Sequence, residues 1–205
     1  MNYDTLASQD SIQKTIQALK EHGVEAELVA TKKEALAKIK ELIPAGSSVM
    51  NGSSRTLEQI GFVEYLQSGL HGWNNLHAGI LAEKDPARQM EMRRQAVLSD
   101  YYLGSVHAVS ETGEMVIASN TGSQLPYIVN TAPNLIFVVG AQKIMPTLPD
   151  AIKRLEEYVV PLEDKRLFAV YQAHTMMSKV LIFHRENQRM GRQVRVIFVN
   201  EKLGF

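Results

Sequence analysis

An α/β fold with a mostly parallel sheet flanked by helices is what this chain predicts, and three observations carry the prediction. Short apolar runs of strand length alternate with segments whose apolar residues recur at helical spacing. Two of the runs, LIFVVG (Leu135–Gly140) and the core of VRVIFVN (Val194–Asn200), are apolar on both alternating faces, as parallel strands buried on both sides should be. Two polar loops of similar make-up, NGSSR and NTGSQ, each sit just after an apolar run.

In chain order, Ile12, Ile16 and Leu19 mark a helix that Gly23 stops. VEAELVA (Val24–Ala30) reads as a strand. Thr31 then caps a helix, with Glu34 completing a capping box and Leu36, Ile39 and Ile43 forming the apolar face. Pro44-Ala45-Gly46 ends it. SVM is a short buried strand, and helical spacing resumes through Leu57, Ile60 and Leu66. Residues 71–84 are irregular, and Asp85-Pro86 opens another helix. VHAVS and EMVIAS, on either side of Thr112-Gly113, predict a hairpin. Leu125–Val129 has the character of a short helix. After LIFVVG, Pro149 fits the first turn of a helix carrying Leu148, Ile152 and Leu155. VLIFH and VRVIFVN close the chain as strands, and residues 171–193 carry the weakest pattern.

The 205 residues contain no repeat or Gly/Ser-rich linker, so one domain over 1–205 is expected, with residues 1–10 as a flexible N-terminus. Lys+Arg and Asp+Glu number 22 each, which argues against nucleic-acid binding driven by bulk positive charge. There is no cysteine, hence no disulfide and no thiolate-held metal or iron–sulfur cluster on this chain. Neither a signal sequence nor a membrane-length apolar run is present, so a cytoplasmic location without a membrane partner is expected.

The loops carry the functional argument. In open α/β sheets, ligands collect at the C-terminal ends of the strands. Gly52, Ser53, Ser54 and Arg55 follow a strand and precede a helix. They combine close backbone approach, hydroxyl donors and a planar cation suited to carboxylate or phosphate. Asn120, Thr121, Gly122, Ser123 and Gln124 repeat that make-up. Helix capping and turn chemistry favour the same residue types without any ligand, and both readings stand. Between the loops lies Glu111, at a hairpin tip. If it faces a shared cleft, it is a base, nucleophile or acceptor.

The remaining candidates are weaker. His71, His77, His107, His174 and His184 show no converging ligand set, so no metal and no cofactor are expected. Trp73, Tyr101 and Tyr102 fit packing as well as a pocket wall, Arg88, Arg93 and Arg94 a solvated helix face, and Met176-Met177 a core or interface.

SVMNGSSRTLEQIGF, YYLGSVHAVSETGEMVIASNTGSQLP, LIFVVGAQKIMPTLPDAIKRLEEYVVPL and VRVIFVNEKLGF, taken in order, resemble the LUD-domain family of lactate-utilisation proteins. The resemblance runs from about residue 10 to the end. It implies a fold similar to the superfamily of ribose-phosphate isomerase, glucosamine-phosphate deaminase and CoA-transferase, with ligands near the loop at Gly52–Arg55. Many relatives carry cysteines before the last strands, where this chain has QAHTMMSKVLIFHRENQRMGRQ. A redox role in lactate oxidation then requires an iron–sulfur partner protein. Three readings follow: a binder of a small anionic metabolite in organic-acid utilisation, an isomerase- or CoA-transferase-like enzyme using Glu111, and a non-catalytic scaffold. A homodimer is compatible with each.

Overall fold

The structure, a computed structural model, describes residues 2–205. Helix α1 (Gln9–Glu21) begins at Ser8, whose hydroxyl accepts from the Ser11 N–H, and turns Ile12, Ile16 and Leu19 inward. Strand β1 (Glu25–Val29) leads to α2 (Lys32–Leu42). Thr31 caps α2 by accepting from the Glu34 N–H, while the Glu34 carboxylate accepts from the Ala30 N–H at 2.8 Å. Strand β2 (Ser48–Asn51) is followed by α3 (Arg55–Gln59) and α4 (Phe62–Ser68). The helical spacing across 57–66 is thus two helices, broken at Gly61, whose φ of 78° lies in the left-handed region that glycine tolerates. The irregular stretch holds β3 (Asn74–Asn75) and α5 (Leu76–Ala82), and α6 (Pro86–Gln95) is capped by Asp85.

Strand β4 (Tyr101–Gly104) runs almost directly into the hairpin of β5 (Ala108–Ser110) and β6 (Met115–Ser119). The expected short helix after it is a turn of π-helix at Tyr127–Thr131. Strand β7 (Asn134–Gly140) passes through a 3-10 turn at Ala141–Lys143 into β8 (Ile144–Met145). Then come α7 (Leu148–Arg154), a π-helical stretch at Leu155–Val159 and α8 (Val160–Tyr171). The chain finishes with β9 (Lys179–Phe183) and β10 (Gln193–Val199).

One sheet has six strands in the order β1-β10-β7-β4-β2-β3, all parallel. Strands β7 and β10 pair from Asn134 with Gln193 to Gly140 with Val199. Their side chains divide by alternation. Leu135, Phe137, Val139, Val194, Val196 and Phe198 join α1 in one core. Ile136, Val138, Ile197 and Val199 join α2, α3 and α4 in the other. Helices therefore cover both faces, which is why the stretches Leu135–Val139 and Val196–Val199 are apolar on both sides.

A second sheet, not foreseen from the sequence, has four strands in the order β8-β5-β6-β9. Helix α7 and the π-helical stretch after it cover it through Ala151 and Leu155, together with Tyr3. Of residues 1–10, expected as a flexible N-terminus, Tyr3 packs against this sheet, and Gln9 and Asp10 begin α1. Tyr3 is buried and donates to Glu157 at 2.7 Å; Met1 lies outside the described residues. The chain leaves the parallel sheet at the C-terminal ends of β4 and β7 and enters the second sheet at once, through Ser105–His107 and Ala141–Lys143. These connections bound a cleft at the strand ends. Among the described residues, no helix is long and apolar enough to cross a membrane.

Candidate functional site

The cleft encloses about 540 Å³. Gly52, Ser53, Ser54 and Arg55 form one wall, and Asn120, Thr121, Ser123 and Gln124 form another. Gly122 is not on the wall; it sits behind the loop with its backbone turned at φ 85°. Both loops also serve as turns and caps. The Ser54 hydroxyl accepts from the Leu57 N–H and caps α3. Thr121 donates to Ser123 at 3.1 Å, and the Ser119 hydroxyl accepts from the Gly122 N–H at 2.9 Å. Asn120 is tied towards β9 through Thr175, Ser178 and Lys179.

Glu111 is elsewhere. It is absent from the cleft wall, and the side chains bonding to it come from α1: Ser11 donates at 2.6 Å and Lys14 at 2.9 Å. Those two bonds hold its carboxyl below the usual range, Lys14 contributing most. The hairpin explains the displacement. Ala108 pairs with Val116, so the Ser105–His107 connection and Ser119 lie towards one end of the ribbon, while Glu111 sits at the tip. The distance along the ribbon is roughly 20 Å. The expectation that Glu111 shares a cleft with the two loops is corrected by this geometry.

The floor is made by residues that the loops do not announce. Lys143, just past β7, is buried, and its Nζ donates to Thr56 Oγ1 at 3.1 Å, Ser105 Oγ at 3.2 Å and the Val106 carbonyl at 3.2 Å. All three partners are neutral. Burial, and secondarily the Arg154 charge, push its pKa down to about 7. Arg154 is itself fully buried, donating to the carbonyls of His107 and Tyr3, and burial pushes it down to about 10. It therefore stays charged at neutral pH. Its Nε has no hydrogen-bond partner among the described residues. The segment after β10 closes in beside Lys143: Gln142 donates to the Leu203 carbonyl at 2.9 Å, and Thr56 donates to it at 3.3 Å.

Two histidines line the cleft in opposite hydrogen-bonding states. His107 Nδ1 accepts from the Ala118 N–H at 3.1 Å, which leaves the proton on Nε2. Burial, then the charges of Lys143 and Arg154, push its pKa to about 3, so it is neutral. His77 Nδ1 lies 3.2 Å from Asn51 Oδ1, while the Asn51 amide donates to the Gly52 carbonyl at 3.1 Å. That amide orientation makes His77 Nδ1 the donor and leaves a bare lone pair on Nε2. Burial, then Arg93, lower the His77 pKa. Tyr102 and Tyr127 stack at 4.4 Å along the wall.

The charges of the cleft do not balance. Arg55 is paired with Glu58, and Arg166 with Glu163 by two bonds of 2.7 and 2.6 Å. Lys143 and Arg93 hydrogen-bond only to neutral groups among the described residues. Sequence reasoning misses Lys143 although it directly follows the most apolar strand, where a cation at a strand end is itself a signal. His77, His107 and Arg93 do not stand out in the sequence either, because packing or a solvated face accounts for them equally well. Among the described residues, no cluster of three or more His, Cys, Asp or Glu side chains could hold a metal ion.

No functionally curated protein matches the chain. A crystal structure of a DUF162 family protein from Deinococcus radiodurans has the same fold, with a TM-score of 0.58 at 11% identity, over 96% of this chain and 100% of that one. The family model of the LUD domain matches residues 12–200, spanning both sheets and every wall of the cleft except Gly204 and Phe205. This chain belongs to the LUD domain family.

Proposed function

We propose that this chain is a LUD-domain protein of organic-acid (lactate) utilisation that holds a small anionic metabolite in the strand-end cleft. The observation that carries the reading is the uncompensated positive charge. Arg93, and Lys143 whenever it is protonated, face the cavity with no carboxylate partner among the described residues, and the wall supplies the hydroxyls of Ser53, Thr121 and Ser123. An anion would complete the electrostatics of a site whose other cations are already paired. The reaction-by-Glu111 reading has no such support, because Glu111 bonds to α1.

The test is a thermal-shift panel of small carboxylates, phosphate esters and CoA thioesters. At least one anion should raise the Tm, and Arg93→Gln should weaken that shift. Failure of every anion to stabilise the protein would overturn the reading.

A partner subunit belongs to the same proposal. Phe168, Tyr171 and Met176 are large exposed apolar groups on α8 and the segment after it, and Met176 also lines the cleft. A chain without cysteine leaves sulfur-held redox centres to such a partner. Co-purification of an iron–sulfur protein with the wild type, lost on Phe168→Asp with Tyr171→Asp, is the expected result.

A further inference from the structure

We infer that Lys143 is a covalent capture residue: its amine forms an imine with the carbonyl carbon of a small carboxylic acid bearing a ketone or aldehyde. The inference rests on the anion-binding reading of the cleft and names the ligand's second functional group.

The geometry separates two cationic roles. Arg93 is a permanent charge on the wall, suited to holding a carboxylate. Lys143 is a different kind of group. It lies at the floor of the same cavity, nearly devoid of solvent contact, with neutral oxygens as its hydrogen-bond partners. Nothing there pins it as an ammonium in the way that a carboxylate would. The buried guanidinium of Arg154 adds like charge from behind. Desolvation together with a neighbouring cation is the arrangement that activates lysine as a nucleophile. With its pKa pushed down to about 7 by burial and then by Arg154, a large share of Lys143 is free amine at neutral pH.

The neighbours suit the step. The neutral amine adds to the carbonyl carbon, forming the C–N bond as the C=O π pair moves to oxygen. The proton that the new C–N centre must lose passes from nitrogen to that oxygen, and the hydroxyls of Thr56 and Ser105, at 3.1 and 3.2 Å from Nζ, can relay it once they turn from the Leu203 and Val106 carbonyls to which they donate. The C–O bond then breaks. The two amine hydrogens and the carbonyl oxygen leave as one water, and the C=N bond remains. No oxidant or reductant is required. Acyl transfer would instead need a leaving group on the ligand, and the imine route does not.

The test is reductive trapping of the whole protein with pyruvate and sodium cyanoborohydride at neutral pH, read by intact mass and peptide mapping. Hydride from the reagent adds to the imine carbon and fixes a secondary amine. The expected result is a single reduced pyruvate adduct located on Lys143, formed at least tenfold faster than with acetone, which lacks the carboxylate. Lys143→Arg, which keeps the charge, should give none, and a non-carbonyl acid such as propionate should slow trapping in the wild type. Mapping on the wild type decides the matter even if the variant does not fold. No adduct, or label spread over exposed lysines, overturns the inference. If propionate still raises the Tm while trapping fails, covalent capture falls and anion binding stands. If neither occurs, both fall.

Discussion

The hydroxyl of Tyr102 stands where a side chain on Gly52 would begin: a Cβ built there would lie 2.5 Å from Tyr102 Oη. The first cleft loop therefore needs glycine for close approach to the β4 side chain. Gly52→Ala should cost about 1–3 kcal/mol through overpacking. In a Tyr102→Phe background the nearest atom becomes the ring Cζ, at an ordinary 3.6 Å, and most of that cost should vanish. Urea denaturation of the four proteins in the cycle measures the coupling, expected to exceed about 1 kcal/mol. Equal costs in both backgrounds would show that the contact does not constrain the loop.

Lys143 should make the protein more stable as pH rises from neutral towards about pH 9. Its folded pKa is about 7, against an unfolded value of 10.5. Between these values the unfolded chain holds a proton that the native chain has released, so stability climbs with pH. The full climb amounts to a few kcal/mol, on the order of 1.4 kcal/mol for each pH unit between the two values. Above about pH 10 the trend reverses, because burial holds the Tyr102 hydroxyl protonated beyond the usual tyrosine range while the unfolded chain ionises. Denaturant melts across this window should show the climb in the wild type and a flattened profile in Lys143→Met. A flat wild-type profile would mean that Lys143 keeps its proton.

On the acid side, His107 should act first. Its folded pKa is about 3, against 6.5 unfolded. As pH falls through that interval the unfolded chain takes up a proton that the native state refuses, and stability is lost. By pH 5 the loss from His107 alone is about 2 kcal/mol. The lowered carboxyls of Asp100 and Glu111 begin to contribute only near about pH 4. His107→Asn retains an acceptor for the Ala118 N–H without titrating, so it should lower the pH 5 penalty. His77, also lowered, supplies a residual slope. An unchanged penalty in the variant would assign the loss elsewhere.

What the sequence discloses and what it hides divide along contact distance. The two faces of β7 and β10 are legible because each strand carries its own alternation into two cores. The Thr31–Glu34 cap and the Thr112-Gly113 hairpin are legible because their partners are a few residues apart. The break at Gly61 is present in the sequence but masked by apolar spacing that continues across it. Lys143 is not legible as a site, because its partners Thr56 and Ser105 come from the first turn of α3 and the end of β4. The second sheet is hidden for the same reason: β8 is two residues long and β9 pairs with β6 across a long intervening stretch. Glu111 shows the opposite failure, in which sequence proximity to Asn120 suggests a shared site that the antiparallel pairing forbids.

Glu111 gives the clearest separation of structure from function. Its carboxylate ties the hairpin tip to α1 through Ser11 and Lys14, and its side chain is 19% exposed. Glu111→Gln removes the Lys14 ion pair but keeps an acceptor for the Ser11 hydroxyl, so the expected loss is about 1 kcal/mol. Because the folded carboxyl sits below its ordinary value, that contribution is present at neutral pH and is lost as pH falls through the folded pKa. The wild type and the variant should therefore converge in acid melts and differ at pH 7. The Tm shift produced by whichever anion binds the cleft should be the same in both proteins, since Glu111 reaches none of its walls. A variant that folds normally yet loses the anion-induced shift would return Glu111 to the site and contradict the placement of the hairpin tip.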